Sequence, residues 1–106
     1  MNRGEVWWVN FGSSVGGEIQ KQRPAVIISN DSSNKFLNRV QVIPLTSKVD
    51  RLYPSEAYVT FNGKQNKAMA DQLTTDSKSR LISIGGTLSQ ADMKNVESVV
   101  KTQLSL

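Results

Sequence analysis

Between Glu56 and Phe61 the chain alternates Ala57, Val59 and Phe61 with Glu56, Tyr58 and Thr60, and Asn62-Gly63 follows at once. Period-two alternation marks a strand with one face buried. Asn-Gly accepts the positive φ angles of a two-residue turn, so it folds such a strand straight back on itself. The spacing predicts a β-hairpin here, with Lys67–Leu73 as the returning strand. With 106 residues the chain has room for one core, so the reading is one domain over residues 1–106.

The rest of the chain supplies further short strands. Glu5–Phe11 is apolar on both faces through Val6, Trp7, Trp8, Val9 and Phe11, as in a barrel wall. Gly12 to Gln22 is rich in Gly, Ser and polar residues and reads as a long exposed loop, a length that in compact domains usually carries function. Pro24–Asn30 is β-branched and ends in the turn formers Asn30-Asp31-Ser32-Ser33-Asn34. Val40–Leu45 is another strand, with Pro44 marking an edge or a bulge. Leu81–Ile84 and Thr87–Leu88 give one more, kinked at Gly85-Gly86. At the end the period changes: Met93, Val96, Val100 and Leu104 fall at helical spacing, with Val99 widening the stripe and Ser89 and Asp92 as a start signal. A run of short strands closed by one amphipathic helix predicts a mainly β fold, a small bent antiparallel barrel with a C-terminal α-helix.

The absence of cysteine and histidine removes most familiar catalysts. Disulfides, thiolate nucleophiles, hydroxyl–histidine pairs and the commonest transition-metal ligands all go with them. The acidic residues are dispersed, which argues against a two-metal nuclease site, and no metal or cofactor is expected. Gly12, Gly16 and Gly17 lack the Gly-Lys-Ser/Thr continuation of a phosphate-binding loop. The net charge of +4 favours polyanionic partners only weakly. The opening residues lack the layout of a signal peptide and no apolar run reaches the length of a membrane span, so a cytoplasmic protein without membrane contact is expected.

Two polar residues sit where strands meet exposed loops. Arg23 lies between the Gly-rich loop and a buried strand, backed by Pro24, and Thr46 closes the strand Val40–Leu45. If those strands are neighbours, a guanidinium and a hydroxyl converge at one rim. An arginine fork suits phosphate and stabilises the added charge of a pentacoordinate phosphorus. The plainer reading gives Arg23 a surface ion pair and makes Thr46 an ordinary strand residue.

Arg3-Gly4-Glu5-Val6-Trp7-Trp8, Gly17-Glu18, Arg23-Pro24 and Val26-Ile27-Ile28-Ser29-Asn30-Asp31 together resemble the opening of the MazF/PemK family of toxin ribonucleases. Pro44-Leu45-Thr46-Ser47 resembles its second block, Asp71-Gln72-Leu73 its third, and the C-terminal helix also matches. The resemblance implies an SH3-like barrel of the CcdB/PemK type and a homodimer. It implies metal-independent cleavage of single-stranded RNA, with 2′-hydroxyl attack leaving a cyclic phosphate and a 5′-hydroxyl. It also implies a cognate antitoxin, MazE-like, whose acidic segment blocks the RNA groove.

On this resemblance Arg23 and Thr46 are the catalytic pair. Glu18 matches a family glutamate and is a candidate general base; reading a base edge or standing as a solvated loop charge are equal alternatives. The expected RNA contacts are Gln20, Lys21, Asn34, Phe36, Ser47 and Gln72. Phe36 has anchoring of its loop as an alternative. Trp7 and Trp8 are expected in core or dimer packing rather than on bases. Lys35, Lys48, Lys64 and Lys67 read as a basic track or a solvated surface. Between Glu18 and Arg23 the family's glycines are absent and no histidine precedes Glu18, which bears on the cleavage sequence. A gyrase poison of the CcdB type and a non-catalytic SH3-like module are the rival readings. The former is disfavoured because no tryptophan occurs near the end of the chain.

Overall fold

In a computed structural model, the structure describes residues 1–12 and 21–106. Seven antiparallel strands run in the order β1 (Glu5–Asn10), β2 (Gln22–Ile27), β3 (Arg39–Thr46), β4 (Glu56–Phe61), β5 (Lys64–Met69), β6 (Thr74–Ser77) and β7 (Leu81–Thr87). A short helix α1 (Asp31–Phe36) follows β2, and α2 (Gln90–Leu104) ends the chain. Among these residues no helix is long and apolar enough to cross a membrane.

The strands form one strongly bent sheet in the order β4-β5-β3-β2-β1-β7, with β6 on β3. The bend centres on β3. Its first half pairs with β6 from Arg39 to Val42, and its end pairs with β5 at Leu45 and Thr46. Pro44 sits between these two stretches, where neither β6 nor β5 pairs with it, so its missing N–H breaks neither ladder. The result is a half-barrel with a C-terminal helix, in agreement with the barrel reading.

Its outer strands, β4 and β7, do not pair; they meet through side chains. A Cβ on Gly85 would lie 3.0 Å from Cζ of Phe61 and 3.3 Å from Nε1 of Trp8, so only glycine lets β7 approach here. The β1–β7 register skips Gly85, passing from Val6↔Gly86 to Trp7↔Ile84. The expected glycine kink is thus a β-bulge.

Strands apolar on both faces bury both. Val6, Val26, Ile43, Leu45, Val59 and Phe61 join Met93 and Val96 of α2 in the larger cluster. Val9, Ala25, Ile27, Val40, Val42 and Leu81 form a second one with Trp7 and Phe11 against it. The helix starts as predicted: the Ser89 hydroxyl accepts from the Asp92 N–H at 3.0 Å. The Asp92 carboxylate does not close the box but accepts from the Thr60 N–H at 2.8 Å, tying α2 to β4.

Two expectations change, and one strand is new. The turn formers after β2 are a helix: Asn30 caps α1 by accepting from the Ser33 N–H at 2.8 Å, and six residues are too few to show a period. The returning hairpin strand begins at Lys64, directly after a turn with φ of 52° at Asn62 and 73° at Gly63, and ends at Met69. Strand β6, Thr-Thr-Asp-Ser, has no apolar alternation and takes its conformation from pairing with β3.

Strand β6 also buries a carboxyl group. Asp76 is 8% exposed, its Oδ2 has no hydrogen-bond partner among the described residues, and burial raises its pKa against the opposing pull of Arg80. The folded state therefore holds this proton to higher pH than the unfolded chain. Its contribution to stability falls as pH rises from the ordinary carboxylate range through the raised folded value. Asp76→Asn is expected to raise the melting temperature at neutral pH, with the gain over wild type shrinking in acid. A gain independent of pH would show that the charge is not the cause.

Candidate functional site

One groove of about 660 Å³ brings together five strands distant in sequence. Strand β2 and the residue before it supply Lys21, Gln22, Arg23 and Pro24, the end of β3 supplies Leu45 and Ser47 follows it. Trp8 comes from β1, and the hairpin contributes Phe61, Asn62, Lys64 and Asn66. Three cations line the groove, and no carboxylate does among the described residues.

The local geometry explains how Arg23 and Lys21 come to this rim. Backbone bonds from Phe11 N–H to the Lys21 carbonyl and from Lys21 N–H to the Gly12 carbonyl close the chain between the end of β1 and the start of β2. Lys21 takes a left-handed φ of 55° at that closure, and β2 then pairs Arg23 with Val9 and Pro24 with Trp8. Arg23 is half-buried, and among the described residues no carboxylate pairs with it. Among the described residues the plain ion-pair role is therefore unfilled, and none of their carboxylates competes with an anion for the guanidinium.

Thr46, the other strand-end candidate, is placed differently. It is 8% exposed and lies between Leu45 and Ser47, both of which line the groove, whereas Thr46 itself does not. Its Oγ1 accepts from the Lys48 N–H at 3.2 Å, which leaves its own proton to donate. The turn after Thr46 is held by a buried ion pair: Lys67 Nζ lies 2.9 Å from Glu56 Oε1, with the side chains 7% and 8% exposed. Lys67 also donates to the Arg51 carbonyl, and Glu56 Oε1 accepts from the Tyr53 N–H at 2.9 Å.

The other sequence candidates fall in different places. Lys21 and Ser47 line the groove with Arg23; Phe36, Asn34 and Gln72 do not. Phe36 ends α1 and is 76% exposed, with Lys35 Nζ 5.5 Å from its ring centre, so it does not anchor its loop. Asn34 is 2% exposed, its amide engaged with Ser29 by accepting from that hydroxyl and donating to its carbonyl at 2.9 Å. Gln72 is half-buried in a short 3-10 turn after β5. Glu18 and Gln20 lie outside the described residues. Lys64 belongs to the groove, while Lys67 is a buried ion-pair partner and leaves the expected basic track. Trp8, expected in packing, is 37% exposed and lines the groove, and with Asn62 and Asn66 it was not among the expected site residues.

No three acidic, histidine or cysteine side chains are placed to hold a metal among the described residues. The Arg23 guanidinium, the Ser47 hydroxyl and the cations of Lys21 and Lys64 around an open groove can bind a phosphodiester and stabilise charge building on its phosphorus. Comparison with known proteins gives this arrangement a context. Residues 2–104 match the family model described as PemK-like, MazF-like toxin of type II toxin–antitoxin system. The chain is 34% identical over 115 residues to "Endoribonuclease MazF9" of Mycobacterium tuberculosis, covering all of this chain and 98% of that one. It superposes with a TM-score of 0.86 on MazF from Deinococcus radiodurans, at 24% identity, over all of this chain and 97% of that one. A mycobacterial endoribonuclease in complex with its cognate antitoxin gives a TM-score of 0.84 at 23% identity, over all of this chain and 96% of that one.

Proposed function

Since the chain belongs to the PemK-like, MazF-like toxin family of type II toxin–antitoxin systems, we propose that it is an endoribonuclease that cuts single-stranded RNA at a short sequence. The observation that carries this reading is Arg23, without an ion-pair partner among the described residues, in a groove lined by Lys21 and Lys64 and by no described carboxylate. The match over residues 2–104 supports treating the whole chain as one toxin domain; that it acts as a homodimer in the cytoplasm is part of the same proposal.

In the proposed reaction the ribose 2′-oxygen attacks the adjacent phosphorus and the bond to the 5′-oxygen breaks. The products are a 2′,3′-cyclic phosphate and a 5′-hydroxyl. Arg23 holds the non-bridging oxygens with its planar fork and stabilises the charge gathering on them, and Thr46 donates its hydroxyl proton to the same group. A proton leaves the 2′-hydroxyl, for which Glu18 is the proposed acceptor, and one is delivered to the departing oxygen, a role open to Arg23. No step draws on a metal. The antitoxin is proposed to lay an acidic segment along the same cations, so that inhibition and substrate binding compete for Lys21, Arg23 and Lys64.

The decisive test is incubation of the protein, freed of any partner, with long single-stranded RNA in excess EDTA, followed by primer extension to map the ends. Discrete cuts bearing 5′-hydroxyls are expected; intact RNA alongside folded protein would overturn the proposal. Binding to an uncleavable RNA should weaken with salt. If Lys21, Arg23 and Lys64 each neutralise one phosphate, the slope of log affinity against log salt should be about −2. A flat dependence would remove RNA from this groove.

A further inference from the structure

Two asparagines are buried in this protein, and they differ in a way that points to a ligand. Asn34 is saturated by Ser29, as described above. Asn66, on β5, is 6% exposed, and its amide makes one hydrogen bond among the described residues, a long one of 3.4 Å from Nδ2 to the Lys64 carbonyl. A contact of that length contributes little, and the amide oxygen, with no partner among the described residues, is not a fully buried orphan and stays open to solvent. What remains exposed of Asn66 lines the groove, with Lys64 on the same face of the strand two residues earlier.

Trp8 lines the same groove. It is 37% exposed although Val6 and Val9 of the same strand are fully buried. Phe61 holds it edge-to-face, with ring centres 6.3 Å apart and planes at 61°, and Gly85 makes the space for both rings. Contacts from two other strands therefore fix the orientation of an indole that is still open to the groove. Unpaired RNA bases are recognised by such pairings, stacked on an aromatic ring and hydrogen-bonded along the Watson–Crick edge. An asparagine side chain offers a donor and an acceptor side by side, which suits a base edge rather than a phosphate.

We infer that Trp8 and Asn66 form a nucleobase subsite, in which an unpaired base stacks on Trp8 and Asn66 fixes which base the protein accepts. This rests on the RNA-cleaving reading of the groove and deepens it: Lys21, Arg23 and Lys64 hold the backbone, and the wall made by β1 and the β4–β5 hairpin sets the sequence.

The test compares cut sites on one long RNA for the wild type and for Asn66→Ala and Asn66→Asp, with circular dichroism to verify the fold. Both variants should lose about 10- to 100-fold in rate at the wild-type sites, and Asn66→Asp should alter base preference at one position only. Folded variants that cut the wild-type sites at wild-type rates would overturn the inference. Independently, Trp7→Phe leaves Trp8 as the sole indole. Its fluorescence should be quenched by an uncleavable 2′-O-methyl oligonucleotide carrying the mapped site, and unchanged emission on binding would also overturn the subsite. If the wild type cuts no RNA, the ribonuclease reading fails, and quenching of Trp8 by mixed-sequence single-stranded RNA then decides the subsite alone.

Discussion

Replacing Arg23 with alanine is expected to slow RNA cleavage by about 100- to 1000-fold while the protein stays folded. The size follows from what Arg23 would do in the transition state. A phosphorus under attack gathers charge on its non-bridging oxygens, and a half-buried cation stabilises that charge more strongly than one surrounded by water. The fold should not suffer, because no carboxylate among the described residues depends on Arg23 and the core lies in its neighbours Ala25, Val26 and Ile27. Arg23→Lys keeps the charge but loses the planar fork, so it should recover only part of the rate. The measurement is single-turnover cleavage of a short RNA carrying one mapped site, beside thermal melts of each variant. A near-normal rate for Arg23→Ala would remove it from the chemistry.

What could be read from the sequence tracks how local each signal is. The hairpin at Asn62-Gly63 and the start of α2 at Ser89 were legible because turn and cap chemistry act within three or four residues. Helix α1 was hidden because six residues show no period, and its cap residue, Asn30, is also a common turn former. Strand β6 was hidden because its conformation is imposed by β3 rather than by its own pattern.

The site divides along the same line. Arg23, Lys21 and Ser47 could be named from loop–strand junctions and from a resemblance carried by short blocks. Trp8, Lys64 and Asn66 could not be assembled, since nothing in a sequence says that β1 and the β4–β5 hairpin border one groove. Lys67 shows the converse failure. It looks like any surface lysine, and only the fold places Glu56 diagonally across from it, with Glu56↔Met69 and Tyr58↔Lys67 two pairs apart on one face of the β4–β5 ladder.

That Lys67–Glu56 pair carries the largest expected effect on stability. Removing one member leaves the other charge buried without a counter-ion, so Lys67→Met or Glu56→Leu alone should destabilise the protein by about 3–5 kcal/mol. The pair itself need not be worth that much, because its attraction is offset by the cost of taking both charges out of water. The double variant, Lys67→Met with Glu56→Leu, should therefore recover most of the loss, and urea unfolding of all four proteins measures the coupling. Additive losses in the double variant would mean that the two side chains do not depend on each other. The cycle also separates stability from function. Lys67 and Glu56 bond to Arg51 and Tyr53 in the turn that follows Thr46, and Lys67 pairs with Thr46 across β3 and β5. A double variant as stable as the wild type should still cut RNA more slowly if those polar ties position the Thr46 hydroxyl. Full activity would reduce the pair to a fold-specifying contact.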